Sequence, residues 1–394
     1  MGTERFSAEL EQLRRAGLFR SRITLEAPQG ARIKVDGREF LAFCSNDYLG
    51  LANDRRLIAA VTEAVQRYGV GAGASHLVTG HSTAHQRVEE ALAEFVRMPR
   101  ALLFSTGYLA NIGVITALAG RDDVIFSDAL NHASLIDGMR LSRAAVVRVP
   151  HCDADAFASA LAQSRARSRF IVTEGVFSMD GDSPPLAALL ELCERFDAWL
   201  VLDDAHGFGV LGAEGRGTLE HLNLESPRLI YIGTLGKAAG VSGAFVAGAA
   251  PIVETVLQRA RSYIYTTATP SFVAAAVEAS LDIIRSEPWR RRRLIELVDI
   301  FQRGLRDARA PIAPSRSPIQ PLILGENDRA MRASRRLRDQ GIIVTAIRPP
   351  TVPEGTARLR ISFSAAHEEA DVAALLGALR EILAADSSWQ PAFS

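Results

Sequence analysis

The sequence predicts an α/β protein with a mostly parallel central sheet, helices on both faces, and a smaller C-terminal α+β domain. Three observations lead there. From about residue 100, short β-branched runs alternate with longer amphipathic runs, the pattern of βαβ units whose strands are buried on both faces. After Ser271 the texture changes to long helices interrupted by three short strands. The 394 residues also exceed one ordinary domain of roughly 100–200 residues.

Taken in order, the chain opens with a charged helix and then RIKVDGREF, where Asp36-Gly37 signals a hairpin between two short strands. ALLF (101–104) reads as a strand and Gly107–Ala119 as a buried helix. VIFS (124–127) leads into a helix from about Ala133. AVVRV (145–149), RFIVTE (169–174), WLVLDD (199–204) and LIYIG (229–233) repeat the strand signal, with helices at Asp153–Gln163 and Leu186–Phe196. Two uncharged stretches, Ala101–Gly120 and Ala238–Val253, hold too many polar or glycine residues for a lipid-spanning helix and read as buried strand-and-helix segments. Helices follow at Ser271–Arg285 and on to about Ala308. Beyond them come a strand at Ile319–Leu324, a helix to about Gln340, strands at 342–347 and 357–363, and a final helix from His367. This gives an N-terminal segment at 1–45, a large domain at 46–280 and a small domain at 281–394.

Composition narrows the function classes. Hydrophobic residues make up 48%, enough to bury a core and too many for disorder. Lys plus Arg equal Asp plus Glu at 45 each. No basic excess exists to release counterions from a phosphate backbone, so nucleic acid is excluded as the expected partner. Cys44, Cys152 and Cys193 are odd in number and widely spaced, which argues against a disulfide framework or a structural metal site. With a charged N-terminus lacking a signal-peptide core, this predicts a cytoplasmic protein, no membrane partner and no metal. Arg290–Arg293 reads as a solvated helix face.

The chemistry gathers at the carboxyl ends of the strands, where ligands bind on such sheets. In GTLGKAAG (233–240), Lys237 follows a strand and is hemmed in by small residues. Close packing lowers an amine's pKa and suits a lysine that binds an aldehyde. In WLVLDDAHGFGVLG (199–212), Asp203 ends an apolar strand and His206 follows three residues on. A carboxylate there calls for a cation, such as a protonated pyridine nitrogen. The other reading makes Asp203 and Asp204 helix caps and His206 a loop histidine. FSTGYLANIG (104–113) places Gly107 and Tyr108 at a strand-to-helix turn suited to phosphate. His132 follows a strand and begins a helix. Glu174 ends another strand, with Ser178 in the loop after it. GVGAGASHLVTG (69–80) is Gly-rich but matches neither the Walker pattern nor a dinucleotide fingerprint, which speaks against an NAD-dependent oxidoreductase. A non-catalytic scaffold is disfavoured because Asp203, His206 and Lys237 are all present.

The ordered set SNDYLGL (45–51), GAGAS (71–75), HASLIDG (132–138), TEGVFSMDGD (173–182), DDAHGFGVLG (203–212) and GTLGKAAG (233–240) resembles the α-oxoamine synthases over nearly the whole chain. These are fold-type I enzymes that use pyridoxal 5′-phosphate (PLP) to condense an amino acid with an acyl-CoA. AIRPPTVPEGTARLRISFSAAH (346–367) is similar to the branch that takes L-alanine and pimeloyl-CoA or pimeloyl-acyl carrier protein; the alternative branch is the glycine C-acetyltransferases.

The resemblance implies that Lys237 binds the cofactor aldehyde, Asp203 pairs with the ring nitrogen and His132 stacks on the ring. His206 and Ser178 would bond near its 3-oxygen, while Gly107, Tyr108 and Thr234 hold the phosphate or ring. Thr266 and Thr267 in YTTATP would reach the phosphate from a second subunit, implying a homodimer with shared sites. Arg20, His132, Arg348 and Thr351 would bind substrate, Arg348 pairing with the amino-acid carboxylate and Arg360 its rival. The chain departs from many relatives at His76, where they carry arginine, and at AAG (238–240).

Overall fold

In the computed structural model, which describes residues 2–307 and 315–384, Asp36 and Gly37 take φ values of 50° and 73°. That is the left-handed backbone a two-residue type I′ turn requires. It joins strands β1 (Arg32–Val35) and β2 (Arg38–Ala42) with Val35 opposite Arg38.

The chain forms two units: Leu49–Ser178 with Asp182–Arg292, and Met1–Tyr48 with Met179–Gly181 and Arg293–Ser394. The first is built on strands β3 (Arg100–Phe104), β4 (Val124–Asp128), β5 (Ala145–Val149), β6 (Arg169–Glu174), β7 (Ala198–Asp203), β8 (Leu229–Thr234) and β9 (Ala244–Gly248). They form one sheet in the order β3-β9-β8-β7-β6-β4-β5. From β8 to β5 all pairs are parallel, while β9 runs antiparallel to both β3 and β8. The two uncharged stretches are β3 with the helix Gly107–Leu118, and β9 with the helix Ala250–Arg259. Leu102, Ile125, Val172, Val201, Ile230 and Val246, from six of the strands, share one core cluster with Ala110, Val114, Leu135 and Met139. A side chain at Gly138 would press on Ile115 and on the backbone of residues 111 and 112. Its absence lets the helices Gly107–Leu118 and Ala133–Ser142 approach closely.

The second unit holds the β1–β2 hairpin and strands β10 (Ile319–Gly325), β11 (Ile342–Ile343), β12 (Thr345–Ile347) and β13 (Ala357–Ser362). The single strand expected at 342–347 is two. β11 adds parallel to β2, and after Val344 the chain crosses to pair β12 antiparallel with β13, so the two halves serve different sheets. The helix expected from His367 begins at Glu369. His367 instead takes a hydrogen bond from Ser364 N, bonds Ala42 O through its other nitrogen and stacks on Phe43. The helix expected to end about Ala308 runs from Trp289 to Asp307; residue 308 lies outside the described residues.

The arginine run is not simply a solvated face. Arg290 bonds Asp54, Glu287 and Leu49 O, and Arg291, 4% exposed, donates to Ile284 O and Ala213 O. All three cysteines are free thiols, and no helix among the described residues is long and apolar enough to cross a membrane.

Candidate active site

Strands β6 and β7 end in register, Glu174 beside Asp203. Asp203 is buried and accepts from neutral donors, Asn111 Nδ2 at 2.7 Å and Ala205 N at 3.0 Å. No helix follows for it to cap. Asn111 also donates to Ser134 Oγ at 2.8 Å, and Ser134 Oγ lies 2.7 Å from His132 Nδ1.

The protons along this line are determined. Asp203 accepts only, so the Asn111 amide nitrogen faces it. His132 Nδ1 accepts from Ser134 N at 3.3 Å and so carries no hydrogen, which makes the Ser134 hydroxyl, itself accepting from Asn111, the donor to it. The neutral His132 ring therefore carries its hydrogen on Nε2. Burial lowers the His132 pKa and the Lys237 charge adds to that, against the opposing pull of Asp203. His132 does cap the helix Ala133–Ser142, yet its side chain also remains exposed.

Lys237 follows β8, with its Nζ 3.0 Å from His206 Nε2. His206 is buried and Lys237 half-buried. Glu174 is fully enclosed. Burial pushes its pKa well up, as does the Asp203 charge, while Lys237 and the backbone N–H groups of His132 and Ser178 pull the other way. Asp204 faces elsewhere, bonded by Thr218 N, Thr218 Oγ1 and Tyr231 OH.

Gly107 and Tyr108 open the helix Gly107–Leu118, whose first-turn N–H groups lack intrahelical partners. Tyr108 is 44% exposed, and its hydroxyl donates to Asp137. Thr234, at the end of β8, donates to Gly243 O at 3.3 Å. A Cβ on Gly107 would meet only the Thr234 side chain, 3.6 Å from Oγ1, and one on Gly236 would meet nothing within 4 Å. Neither glycine has a positive φ. Protein packing therefore does not demand glycine at either position, which leaves the backbone there open to a ligand.

Thr266 and Thr267 line a small cavity with His76, Ser105, Ser262 and Tyr263. His76 stacks on Tyr263, and burial with the neighbouring His85 and His81 pushes its pKa down to about 3. It is a packed neutral side chain. In the other unit, Arg20, Arg348 and Thr351 line one cavity of about 380 Å³. Arg348's pKa is lowered by burial and by the Arg20 charge. Arg360, buried, bonds Asn46 and Ser362.

Residues 38–379 match aminotransferase class I and II. The chain belongs to that family. It is 60% identical over 375 residues to an 8-amino-7-oxononanoate synthase of Nitrosospira multiformis, covering 94% of this chain and 95% of that one. Identity to the enzyme of the same name from Nitrosomonas europaea is 57%, covering 95% and 98%. Among solved structures, a serine palmitoyltransferase from S. paucimobilis with a bound PLP–myriocin aldimine superposes with a TM-score of 0.92 at 30% identity, covering 97% of this chain and 98% of that one. An 8-amino-7-oxononanoate synthase of Francisella tularensis does so at 0.76 and 31%, covering 87% and 97%.

The residues fit the cofactor these relatives imply. The helix N-terminus with Thr234 suits a phosphate, the Lys237 amine an aldehyde and Asp203 a protonated ring nitrogen. Sequence reasoning had passed over Asn111 and Ser134, which lie within the quoted segments 104–113 and 132–138. Each is a polar residue on the buried face of its helix, and that is the available signal.

Proposed function

We propose that the chain condenses L-alanine with pimeloyl-CoA, or pimeloyl-acyl carrier protein, to give 8-amino-7-oxononanoate, carbon dioxide and the free thiol carrier, a step of biotin biosynthesis. One observation carries the reading. The Lys237 amine sits at His206 on the strand edge that ends in Asp203, in a chain 53–60% identical to enzymes of this name.

When bound, PLP supplies an electron sink for charge at the amino acid's α-carbon. Asp203 keeps a proton on the ring nitrogen, held in place by Asn111. Lys237 Nζ takes the α-proton of alanine and returns a proton once carbon dioxide has left, with His206 orienting the amine. His132 would pack on the cofactor ring and offer Nε2–H to the substrate, and Ser178 and His206 would bond near the 3-oxygen. Gly107, Tyr108 and Thr234 would hold the phosphate, joined in a homodimer by Thr266 and Thr267 of the second subunit. The setting is cytoplasmic.

Arg348 binds the alanine carboxylate, beside Thr351. The nearness of the Arg20 charge supports a second reading, in which the two guanidiniums take the free carboxylate at the far end of the pimeloyl chain and Arg360 takes alanine. Measuring both KM values for Arg348→Ala separates the two, since only the substrate it binds loses affinity. The overall reading is tested by mass spectrometry of purified protein incubated with alanine or glycine against pimeloyl-CoA or acetyl-CoA. Exclusive turnover of glycine with acetyl-CoA would overturn it in favour of a glycine C-acetyltransferase.

A further inference from the structure

Four residues before His132, Asp128 ends β4; four residues after Ser178, Asp182 closes the loop that follows β6. His151 stands between these two carboxylates. Its Nδ1 lies 2.8 Å from Asp128 Oδ1 and its Nε2 2.9 Å from Asp182 Oδ2. Carboxylate oxygens only accept, so both ring nitrogens carry hydrogen and the ring is an imidazolium. Burial alone would discharge it, but the bonds to Asp128 and Asp182 outweigh that and push its pKa up to about 12. The Cys152 thiol and the edge-on Phe177 ring complete its surroundings.

Each of these aspartates in turn organises a loop that presents a proposed site residue. Asp128, whose side chain is wholly buried, takes Leu130 N on Oδ1 and Cys152 N on Oδ2, fixing the turn before His132. Asp182 returns its backbone carbonyl to Phe177 N at 2.9 Å, closing the loop around Ser178. The φ of 55° at Cys152 puts a non-glycine residue in the left-handed region, so the turn that delivers His151 is held against its own preference. None of these groups takes part in the chemistry described above.

We propose that His151 is a positioning residue, an imidazolium clamp that fixes the loop presenting His132 against the loop presenting Ser178. The proposal rests on the reading of those two residues as cofactor contacts, so its test includes a readout that needs no turnover. His151→Gln and Asp182→Asn are prepared as PLP-loaded protein. The second variant keeps the buried Asp128–His151 pair and loosens only the outer bond, which protects the fold. Both should alter the visible circular dichroism of the bound cofactor and speed its dissociation. They should lower kcat by roughly tenfold to a hundredfold, as expected for misplaced reacting groups, with the KM for the acyl thioester unchanged and the smaller effect in Asp182→Asn. A dichroism signal and kcat equal to wild type in folded Asp182→Asn and His151→Gln, with only the melting temperature lowered, would overturn the clamp. If the dichroism changes while wild type itself makes no 8-amino-7-oxononanoate, the clamp stands and the functional reading falls.

Discussion

Asp203 accepts one hydrogen bond from Asn111, and that bond decides the orientation of the Asn111 amide, the Ser134 hydroxyl and the His132 ring. Replacing Asp203 with Asn keeps the shape but leaves no charge to hold a proton on the cofactor nitrogen. We expect the variant to bind PLP and to lose about a thousandfold in kcat, roughly 4 kcal/mol of transition-state stabilisation, measured by cofactor absorbance and turnover on the same sample. Asp204, next in sequence, answers to different physics. Burial pushes its pKa up to about 7 against the pull of Thr218 and Tyr231. The folded value exceeds the unfolded one, so its contribution to stability is full below the unfolded pKa and drains away as pH rises through about 7. The melting-temperature gap between wild type and Asp204→Asn should therefore narrow from about pH 5 to about pH 8. A gap that stays constant over this range would mean that Asp204 is ionised throughout.

Elements read well from the sequence where their cause is local. The strand runs 101–104, 124–127, 169–174 and 229–233 and the Asp36-Gly37 turn sit where β-branched periodicity and turn chemistry put them. What did not read is pairing. Nothing in IIVTAI says that Ile342–Ile343 will join β2 while Thr345–Ile347 joins β13, because the choice belongs to strands far off in the chain. The same holds for Arg290 and Arg291, whose partners include Leu49 O, Asp54 and Ala213 O. At the candidate site, Asp203 is legible as the polar end of an apolar strand, Lys237 as a lysine in the small-residue turn after one, and His132 as the start of a helix that follows one. Asn111 and Ser134 are not, because they meet only through the close approach of two helices at Gly138. The segment after β7 is packed as tightly. A methyl group on Gly207 would collide with Asp204 Oδ1 and Thr218 Oγ1. Gly207→Ala should cost about 1–3 kcal/mol in denaturant unfolding, as overpacking does, and should displace His206 beside it. An unchanged unfolding midpoint would show that the turn can yield.

For the whole molecule, shared sites make a sharp expectation. Lys237→Ala and Thr267→Val, each inactive alone, should recover part of the activity when subunits are mixed and exchanged, because a heterodimer restores one intact site. Mixed dimers confirmed by mass spectrometry yet wholly inactive would mean that each chain builds its site alone. The pairing of β2 with β11 has another outcome, one that concerns synthesis. Leu41 lies opposite Ile342, so the hairpin leaves the ribosome with most of the chain still untranslated. The unit holding β3 to β9 draws on nothing beyond Arg292 and can fold while that happens. Until β11 arrives, β2 offers an open edge to any passing strand. The hairpin is thus exposed to misassociation for as long as the stretch between β2 and β11 takes to be made, and slow translation of that stretch lengthens the exposure.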